Sequence, residues 1–370
     1  MSHCDTFLAE PAAEQAAETV VAKTAGERCR GAVTDDGDGD VRQGAAEVDL
    51  EAQRILSRRL ANQVNERLAE ADDARTLGFA CRHARSIGSG PVTSVSQIRE
   101  QERPVAGIQT FLRRTDGDGV PTLFVHGNPT SSSDWIPFLK VLPGPGLAFD
   151  LPNFGRSERL AAERFDSSMH SYAAFIAAAM DELIEGEFNL VVHDWGAIAL
   201  HPAQCRAERI RRLVVIDAVP LLADYRWHWL ARIWRTRGLG ELLNATTTKT
   251  AIRLALRQAR PGLKPMPGPF VDELWQHYDR GMTRAVLRLY RSGDPEKLEA
   301  AGAQLERLAC PAMVVWGVGD PYIPTRFARA FAARLPNAEL LELDRAGHWP
   351  WIDQPQLVGR VVDFLCQSRE

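Results

Sequence analysis

The chain has 370 residues, of which 45% are hydrophobic and 25% are charged, and its formal net charge at pH 7 is −4. This composition is ordinary for a globular protein, and the slight acidic excess excludes the basic surface that nucleic acids or anionic membranes attract. No apolar run reaches the roughly 18 residues of a membrane span, and residues 1–15 lack the apolar stretch of a secretory signal. We therefore predict a cytoplasmic protein that binds neither nucleic acid nor a membrane. The sequence does not indicate an oligomeric state.

The six cysteines contain no CxxC pair and do not have the spacing of a metal site. We expect free thiols, as is usual in a cytosolic protein, and no metal. The six are Cys4, Cys29, Cys81, Cys205, Cys310 and Cys366.

The first quarter of the chain differs in character from the rest. Residues 1–48 are rich in Ala, Glu, Asp and Gly, and acids outnumber bases; this predicts a disordered acidic tail. Residues 49–97 are interpreted as an amphipathic helix followed by a linker. In the helical part, 49–72, apolar residues recur every fourth position at Leu56, Leu60, Val64 and Leu68.

From about Ile98 onward, short β-rich runs alternate with helical stretches. Strands alternating with helices predict an α/β fold, with a mostly parallel sheet and helices on both faces. The predicted helices include 171–184 and 356–366. The predicted strands are 108–113, 122–125, 146–150, 189–193, 212–216, 312–316 and 339–343.

One segment breaks this alternation. Residues 220–295 contain no clear strand, have a helical pattern and hold four of the nine tryptophans. The sheet pattern resumes at Ala312. We therefore predict a helical cap over 220–295, inserted into a core made of 98–219 and 296–370.

A strand, a sharp turn and a helix are indicated around Asp194. The apolar residues 190–192 lead into His193-Asp194-Trp195-Gly196, and a small-residue helical stretch follows. This is the layout of the nucleophile elbow, whose usual form is G-x-S-x-G, with Asp194 in the place of the serine. A carboxylate is ionised near neutral pH and attacks without a base. The pattern therefore predicts displacement of a leaving group from carbon rather than serine acyl transfer.

Two further residues complete a candidate triad. Asp320 follows the run 314–319, and His348 lies in Ala-Gly-His-Trp just after the last predicted strand. The chain order nucleophile, acid, histidine is the order that this kind of fold uses. Asp217 also ends a strand and is an alternative acid. Gly317 and Gly319 favour Asp320, because they free the loop that presents its side chain.

The loop after Val125 predicts a second part of the site. A glycine-rich turn between strand and helix can direct backbone N–H groups at a developing oxyanion, here those of Asn128 and Trp195. The amide of Asn128 and the indole of Trp195 are also side-chain donors. Both are expected beside Asp194, where they would suit a leaving halide ion. The alternative is a turn asparagine and a core tryptophan.

These motifs resemble those of haloalkane dehalogenases, in the aspartate-nucleophile branch of the α/β-hydrolase fold that also contains epoxide hydrolases. The resemblance rests on 126–132 with Trp135, on 150–157 and on 193–196, and it extends over about residues 98–368. It implies the α/β-hydrolase fold, halide binding by Asn128 and Trp195, and a small apolar substrate that reacts with water. It implies no cofactor.

Three functions follow as hypotheses. The first is a hydrolase that cleaves a carbon–halogen bond through an alkyl ester on Asp194, which His348 and Asp320 then help water to hydrolyse. The second is an epoxide hydrolase with the same nucleophile. Its acids would be tyrosines of the cap, for which Tyr225, Tyr278 and Tyr290 are candidates, although packing against the cap tryptophans explains them equally well. The third is a non-catalytic protein that binds an apolar ligand.

Overall fold

The computed structural model describes residues 96–367, and the predictions for 1–48 and for the helix over 49–72 lie outside these residues. One eight-stranded sheet runs through this part of the chain in the order β1-β2-β4-β3-β5-β6-β7-β8. β1 and β2 pair antiparallel, β2 pairs antiparallel with β4, and all other neighbours are parallel. The strands are β1 (Arg99–Val105), β2 (Ile108–Thr115), β3 (Thr122–Val125), β4 (Gly146–Phe149), β5 (Phe188–Asp194), β6 (Ile210–Ala218), β7 (Ala312–Gly317) and β8 (Ala338–Leu343).

Alternate residues of the central strands enter two different apolar clusters. On β5, Leu190 and Val192 belong to one cluster, whereas Val191 belongs to the other. Successive side chains of a strand point to opposite faces, so each face of the sheet has its own core. Every residue of β3, β4, β5 and β7 is buried, as expected for parallel strands covered on both faces. The predicted α/β fold with a mostly parallel sheet is confirmed.

Helices connect the strands and cover both faces. Six of them follow one another between β6 and β7, where residues 219–311 contain no strand. This helical region includes the segment for which a cap is predicted. The helices of residues 96–367 are α1 (Ile136–Val141), α2 (Met169–Leu183), α3 (Leu200–Gln204), α4 (Trp229–Arg235), α5 (Leu239–Thr246), α6 (Lys249–Ala255), α7 (Gly268–Gln276), α8 (Arg280–Ser292), α9 (Pro295–Ala301), α10 (Arg326–Arg334), α11 (Pro350–Asp353) and α12 (Gln356–Cys366).

Two findings differ from the sequence predictions. The strand β1 was not predicted, since its sequence Arg-Glu-Gln-Glu-Arg-Pro-Val is mostly polar and exposed. The expectation of free thiols is wrong at Cys205, which is disulfide-bonded, whereas Cys310 and Cys366 are free. Between residues 96 and 367, no helix combines the length and the apolar character that crossing a membrane needs.

Candidate active site

Asp194 lies in a strained turn at the carboxyl end of β5. Its φ of 50° and ψ of −124° are unusual for a residue with a side chain, and the short 3-10 turn Trp195–Ala199 follows directly. Two glycines let the neighbouring backbone approach this turn. A Cβ at Gly127 would lie 2.5 Å from Asp194 Oδ2, and one at Gly196 would collide with the carbonyl oxygen of Val125. The turn therefore has the shape of a nucleophile elbow.

Backbone donors hold the Asp194 carboxylate. The N–H of Asn128 donates to Oδ2 over 2.8 Å, and the N–H of Trp195 donates to the same carboxyl group. Burial raises the pKa of Asp194 above its ordinary value, while His348 and these two N–H groups oppose the rise. The residue is 5% exposed.

His348 lies between two carboxylates. Its Nδ1 donates to Asp320 Oδ2 over 2.8 Å, and its Nε2 is 3.7 Å from Asp194 Oδ1, beyond hydrogen-bonding distance. The main chain of His348 is held as well, because its carbonyl oxygen accepts a 2.8 Å hydrogen bond from Nε2 of His193. Burial lowers the pKa of His348, but Asp320 and Asp194 outweigh burial and bring the pKa above its ordinary value.

The two candidate acids occupy different places. Asp320 contacts His348 directly, and its Oδ1 accepts from the backbone N–H groups of Tyr322 at 2.7 Å and Ile323 at 3.1 Å. Asp217 is fully buried behind it. Its carboxyl group accepts from Gly317 N and is in hydrogen-bond contact with the carboxyl group of Asp320. Burial raises the pKa of Asp217 well above its ordinary value, and the charge of Asp320 adds to the effect.

The side chains of Asn128 and Trp195 meet at the hydroxyl group of Tyr290. Asn128 Nδ2 donates to this hydroxyl over 3.3 Å, and the Trp195 and Tyr290 rings pack edge to face with centroids 5.1 Å apart. The indole N–H of Trp195 is buried and interacts with the same hydroxyl, but it makes no hydrogen bond of ordinary geometry within residues 96–367. Burial raises the pKa of Tyr290 well above its ordinary value and Asp194 adds to this, while Trp195 and Asn128 act in the opposite direction. The hydroxyl therefore lies where two donors converge.

Of the other two candidate tyrosines, Tyr225 interacts with Tyr290, whereas Tyr278 has different partners. Tyr225 is buried, and burial together with Tyr290 and Asp194 raises the pKa of its phenol well above the ordinary value. Its hydroxyl has no hydrogen-bond partner in the described part of the chain. Tyr278 instead stacks on Trp275 at 5.5 Å and donates to Asn244 Oδ1 over 3.3 Å. Its hydroxyl is thus engaged elsewhere in the helical region.

Sequence reasoning missed three polar residues that surround His348. His193 is fully buried, with Nε2 on the His348 carbonyl. Asp134, also buried, accepts a 2.6 Å hydrogen bond from Thr130 Oγ1. His228 caps α4 by accepting from Ala231 N through Nδ1, so its Nε2 carries the proton. Asp134 follows three serines and has the sequence signature of a turn, and no spacing pattern indicated the other two.

These three residues are also perturbed electrostatically. Burial raises the pKa of Asp134 to about 7, and Asp194 adds to the rise. Burial lowers the pKa of His193 well below its usual range and that of His228 to about 3. Such perturbed groups around a cleft are typical of functional sites. Across residues 96–367, no three His, Cys, Asp or Glu side chains are grouped so that they could hold a metal ion.

The chain is similar to known proteins over most of its described length. The model of the alpha/beta hydrolase family matches residues 122–361. A haloalkane dehalogenase of Bradyrhizobium diazoefficiens is 27% identical over 305 residues, which cover 72% of this chain and 93% of that protein.

Solved structures extend the comparison. The haloalkane dehalogenase DbeA of Bradyrhizobium elkani is 25% identical, with a TM-score of 0.63 over 73% of this chain and 98% of its own. The epoxide hydrolase CorEH is 19% identical, with a TM-score of 0.59 over 72% of this chain and 98% of its own. The second likeness shows the fold alone.

Proposed function

Because this chain belongs to the alpha/beta hydrolase family, we propose that it hydrolyses carbon–halogen bonds of small apolar substrates through an alkyl ester on Asp194. The observation that carries the proposal is the pair of side-chain donors beside Asp194. Within residues 96–367, the buried Trp195 indole N–H makes no hydrogen bond of ordinary geometry, and the Tyr290 hydroxyl is the acceptor that both it and Asn128 Nδ2 approach. A buried unpaired donor costs about 1–3 kcal/mol, so an acceptor such as a halide ion would stabilise the site.

The first step forms the ester. Asp194 Oδ1 attacks the carbon atom that bears the halogen, and the halide leaves with the bonding electron pair. Trp195 Nε1 and Asn128 Nδ2 donate to the departing halide, whose charge develops in the transition state. Asp194 Oδ2 keeps its hydrogen bond from Asn128 N. No base is needed here, since the carboxylate is itself the nucleophile.

The second step hydrolyses the ester. His348 Nε2 faces Asp194 from 3.7 Å, so a water molecule between them can lose a proton to the ring and attack the ester carbonyl carbon. Asp320 stabilises the imidazolium through Nδ1. The oxyanion on Oδ2 is held by Asn128 N. As this intermediate collapses, the bond between the Asp194 carboxyl carbon and the alkyl-bearing oxygen breaks, and the imidazolium of His348 protonates that oxygen to release the alcohol. The carboxylic acid left on Asp194 loses its proton to solvent, which restores the carboxylate. This scheme uses no cofactor.

Epoxide hydrolysis is the second candidate, and Tyr290 is the observation that favours it. Opening an epoxide needs an acid for the oxygen atom that is released. The Tyr290 hydroxyl lies beside the donors of Asn128 and Trp195, and Tyr225 is a second buried phenol nearby. A tyrosine in this place could protonate the opened oxygen while Asp194 attacks carbon. The hydroxyl of Tyr278 instead donates to Asn244, so we do not assign Tyr278 this role.

One variant tests both candidates. His348→Gln should allow the first step and block the second, because only ester hydrolysis needs the base. With a bromoalkane, the variant should release about one halide per site and then stop. Intact-protein mass spectrometry should show the added alkyl group, and peptide mapping should locate it within residues 190–200. With an epoxide of the styrene oxide type, a hydroxyalkyl group would be added instead.

Asp194→Asn is the matched control, since it keeps the size of the side chain and removes the nucleophilic carboxylate. It should form no adduct with either substrate. If the folded His348→Gln variant also forms no adduct with either substrate class, the ester mechanism is wrong.

A further inference from the structure

Two buried aspartates meet at the carboxyl ends of β6 and β7. The side chains of Asp217 and Asp320 are both fully buried, and their carboxyl groups are in hydrogen-bond contact. A hydrogen bond between two carboxyl groups requires a proton on one of them. Two carboxylates in contact and away from water cannot both be charged. The pair therefore holds one proton and one negative charge.

The number of donors decides which aspartate carries the charge. Asp320 accepts three N–H hydrogen bonds, from Tyr322 N, Ile323 N and His348 Nδ1. Within the part of the chain that the structure describes, Asp217 accepts one N–H, that of Gly317, which is shared between its two oxygens at 3.0 and 3.3 Å. Hydrogen bonds from N–H groups stabilise the ionised form of a carboxyl group. The charge therefore belongs on Asp320 and the proton on Asp217.

The backbone conformation of Asp217 indicates that the surrounding structure holds this side chain in a fixed position. Its φ is +36°, in the left-handed region that residues with a Cβ seldom adopt. Asp194 at the end of the adjacent strand has a φ of +50°. Strained residues persist where the surrounding structure holds them in place, and they cluster at active sites.

We propose that Asp217 is a positioning residue that keeps its carboxyl proton and donates it in a lasting hydrogen bond to Asp320. This bond orients the Asp320 carboxylate towards His348 Nδ1 and withdraws part of its negative charge. Asp217 transfers no proton to substrate or water. The effect on catalysis rests on the proposed function, in which His348 is the base. The assignment of the proton to Asp217 does not depend on that function.

Several groups surround His348, and of these only Asp320 loses a hydrogen bond when the carboxyl donor of Asp217 is removed. Without the donor, the negative charge of Asp320 is concentrated on its own oxygens, so the pKa of His348 rises. Turnover requires a neutral His348, so kcat falls at low pH where His348 becomes protonated. This acid limb of the pH profile of kcat therefore moves to higher pH. Among residues 96–367, the titratable groups that interact with His348 include Asp320, Asp194, Asp134, His193, His228 and Tyr322.

The kinetic test compares three variants. Asp217→Asn keeps a donor of similar shape and tolerates a positive φ, so it should rescue kcat to within about threefold of the parent chain. Asp217→Ala should lower kcat about tenfold or more, equivalent to about 1.4 kcal/mol, and raise the acid limb of the kcat profile by ~0.5–1 pH unit. Because only ester hydrolysis slows, KM should fall along with kcat, and kcat/KM should change less than about twofold. Asp320→Asn should lower kcat further than either, because it removes the partner of the imidazolium.

Val215→Ala on β6 is the structural control. It removes buried volume from the same strand but no donor, so it should lower stability without moving the pH profile. An Asp217→Asn variant as impaired as Asp217→Ala would overturn the proposal. So would an unmoved acid limb in a folded Asp217→Ala variant.

Infrared spectroscopy tests the proton without any substrate, and so separates this proposal from the proposed function. At about pH 9, where Asp134 with its pKa of about 7 is ionised, the parent chain should still show the C=O stretch of a protonated carboxyl group. Asp217→Asn should lack this band and Asp134→Asn should keep it. A parent spectrum without the band, or a band that survives in Asp217→Asn, would show that Asp217 does not carry the proton.

Discussion

Three aspartates at neighbouring strand ends differ in what surrounds each carboxyl group. Asp194 faces backbone N–H groups and the distal nitrogen of His348. Asp320 contacts the proximal nitrogen of the same ring, and Asp217 contacts Gly317 N and the carboxyl group of Asp320. A carboxyl group acts as nucleophile, charge partner or proton holder according to its environment. We expect Asp194, Asp320 and Asp217 to take these three roles in that order.

The role of Trp195 can be tested by removing one hydrogen-bond donor. Trp195→Phe keeps an aromatic ring and loses the indole N–H, so the first step should slow about 10²–10³-fold, as for other donors to a developing anion. The second step should change much less, because it uses His348 and the backbone donors. Rapid-mixing measurement of the halide burst separates the two rates.

Trp135→Phe provides the matched control for this prediction. Trp135 is also fully buried and its indole N–H also lacks a partner in the described residues, but it packs against Phe138 and Trp351 in the other apolar cluster. Equal slowing of the halide burst in both variants would contradict a specific role for Trp195.

The sequence indicated which residues could lie at the same edge of the sheet, but not which pairs of side chains are in direct contact. The order of Asp194, Asp320 and His348 along the chain was recognisable because strand ends of a parallel sheet share one edge. Gly317 and Gly319 favoured Asp320 over Asp217 as the histidine partner already in the sequence, whereas the 2.8 Å contact between Asp320 and His348 depends on loop geometry that the sequence does not give. Asp134 and His228 were missed for a related reason. Burial is the largest cause of their shifted pKa values, and the sequence pattern of a turn or a helix cap is the same whether the residue is exposed or buried.

At the scale of elements, the close contact between the β3 loop and the β5 turn depends on Gly127. A Cβ there would lie 2.5 Å from Asp194 Cβ and Oδ2 and 2.8 Å from Trp195 N. Gly127→Ala should therefore displace the turn, lower kcat by at least about 10²-fold because the reacting groups are misplaced, and destabilise the fold by about 1–3 kcal/mol. Turnover and urea unfolding check both effects.

Gly359 in α12 is the natural comparison for that variant. No atom lies within 4 Å of a Cβ built there, and alanine is the better helix former by about 1 kcal/mol. Gly359→Ala should be neutral or stabilising, with turnover unchanged. A similar loss of turnover in both variants would show that the effect of Gly127→Ala is not local.

Hydrophobic runs indicated the central strands, but the polar edge strand was not recognisable. β3 begins and ends where predicted, and the other predicted strands lie within one to two residues of the observed ones at each end. The exact first and last residues of a strand depend on backbone hydrogen bonds to its neighbours, and the apolar content of the sequence does not indicate these bonds. β1 is polar because, among residues 96–367, it lies at the edge of the sheet and pairs only with β2, so neither face needs a continuous apolar stripe.

At the scale of the whole molecule, Asp134 makes the stability depend on pH. The pKa of its carboxyl group is about 7 in the folded chain, against 3.8 for an ordinary aspartate, so between these values the folded state binds more protons than the unfolded state. The free energy of unfolding therefore falls as the pH rises from about 4 to 7, by at most about 4 kcal/mol for a shift of this size.

Asp134→Asn should remove this part of the dependence. Urea unfolding at several pH values between about 4 and 8 should give a flatter curve for the variant than for the parent chain, with the difference growing towards neutral pH. Parallel curves would mean that Asp134 is ionised in the folded state throughout this range.

The position of the candidate site within the sheet has a consequence for how activity is lost. Asp194, Asp217 and Asp320 are attached to β5, β6 and β7, which are adjacent and have strands on both sides. Strands in such a place open only when the whole domain unfolds, whereas edges and surface helices open at lower free energy. Deuterium should therefore enter the amides of these strands at the slowest rates in the molecule. Heat or denaturant should inactivate the chain only as fast as its core unfolds. We expect no folded intermediate in which Asp194, Asp320 and His348 have already separated.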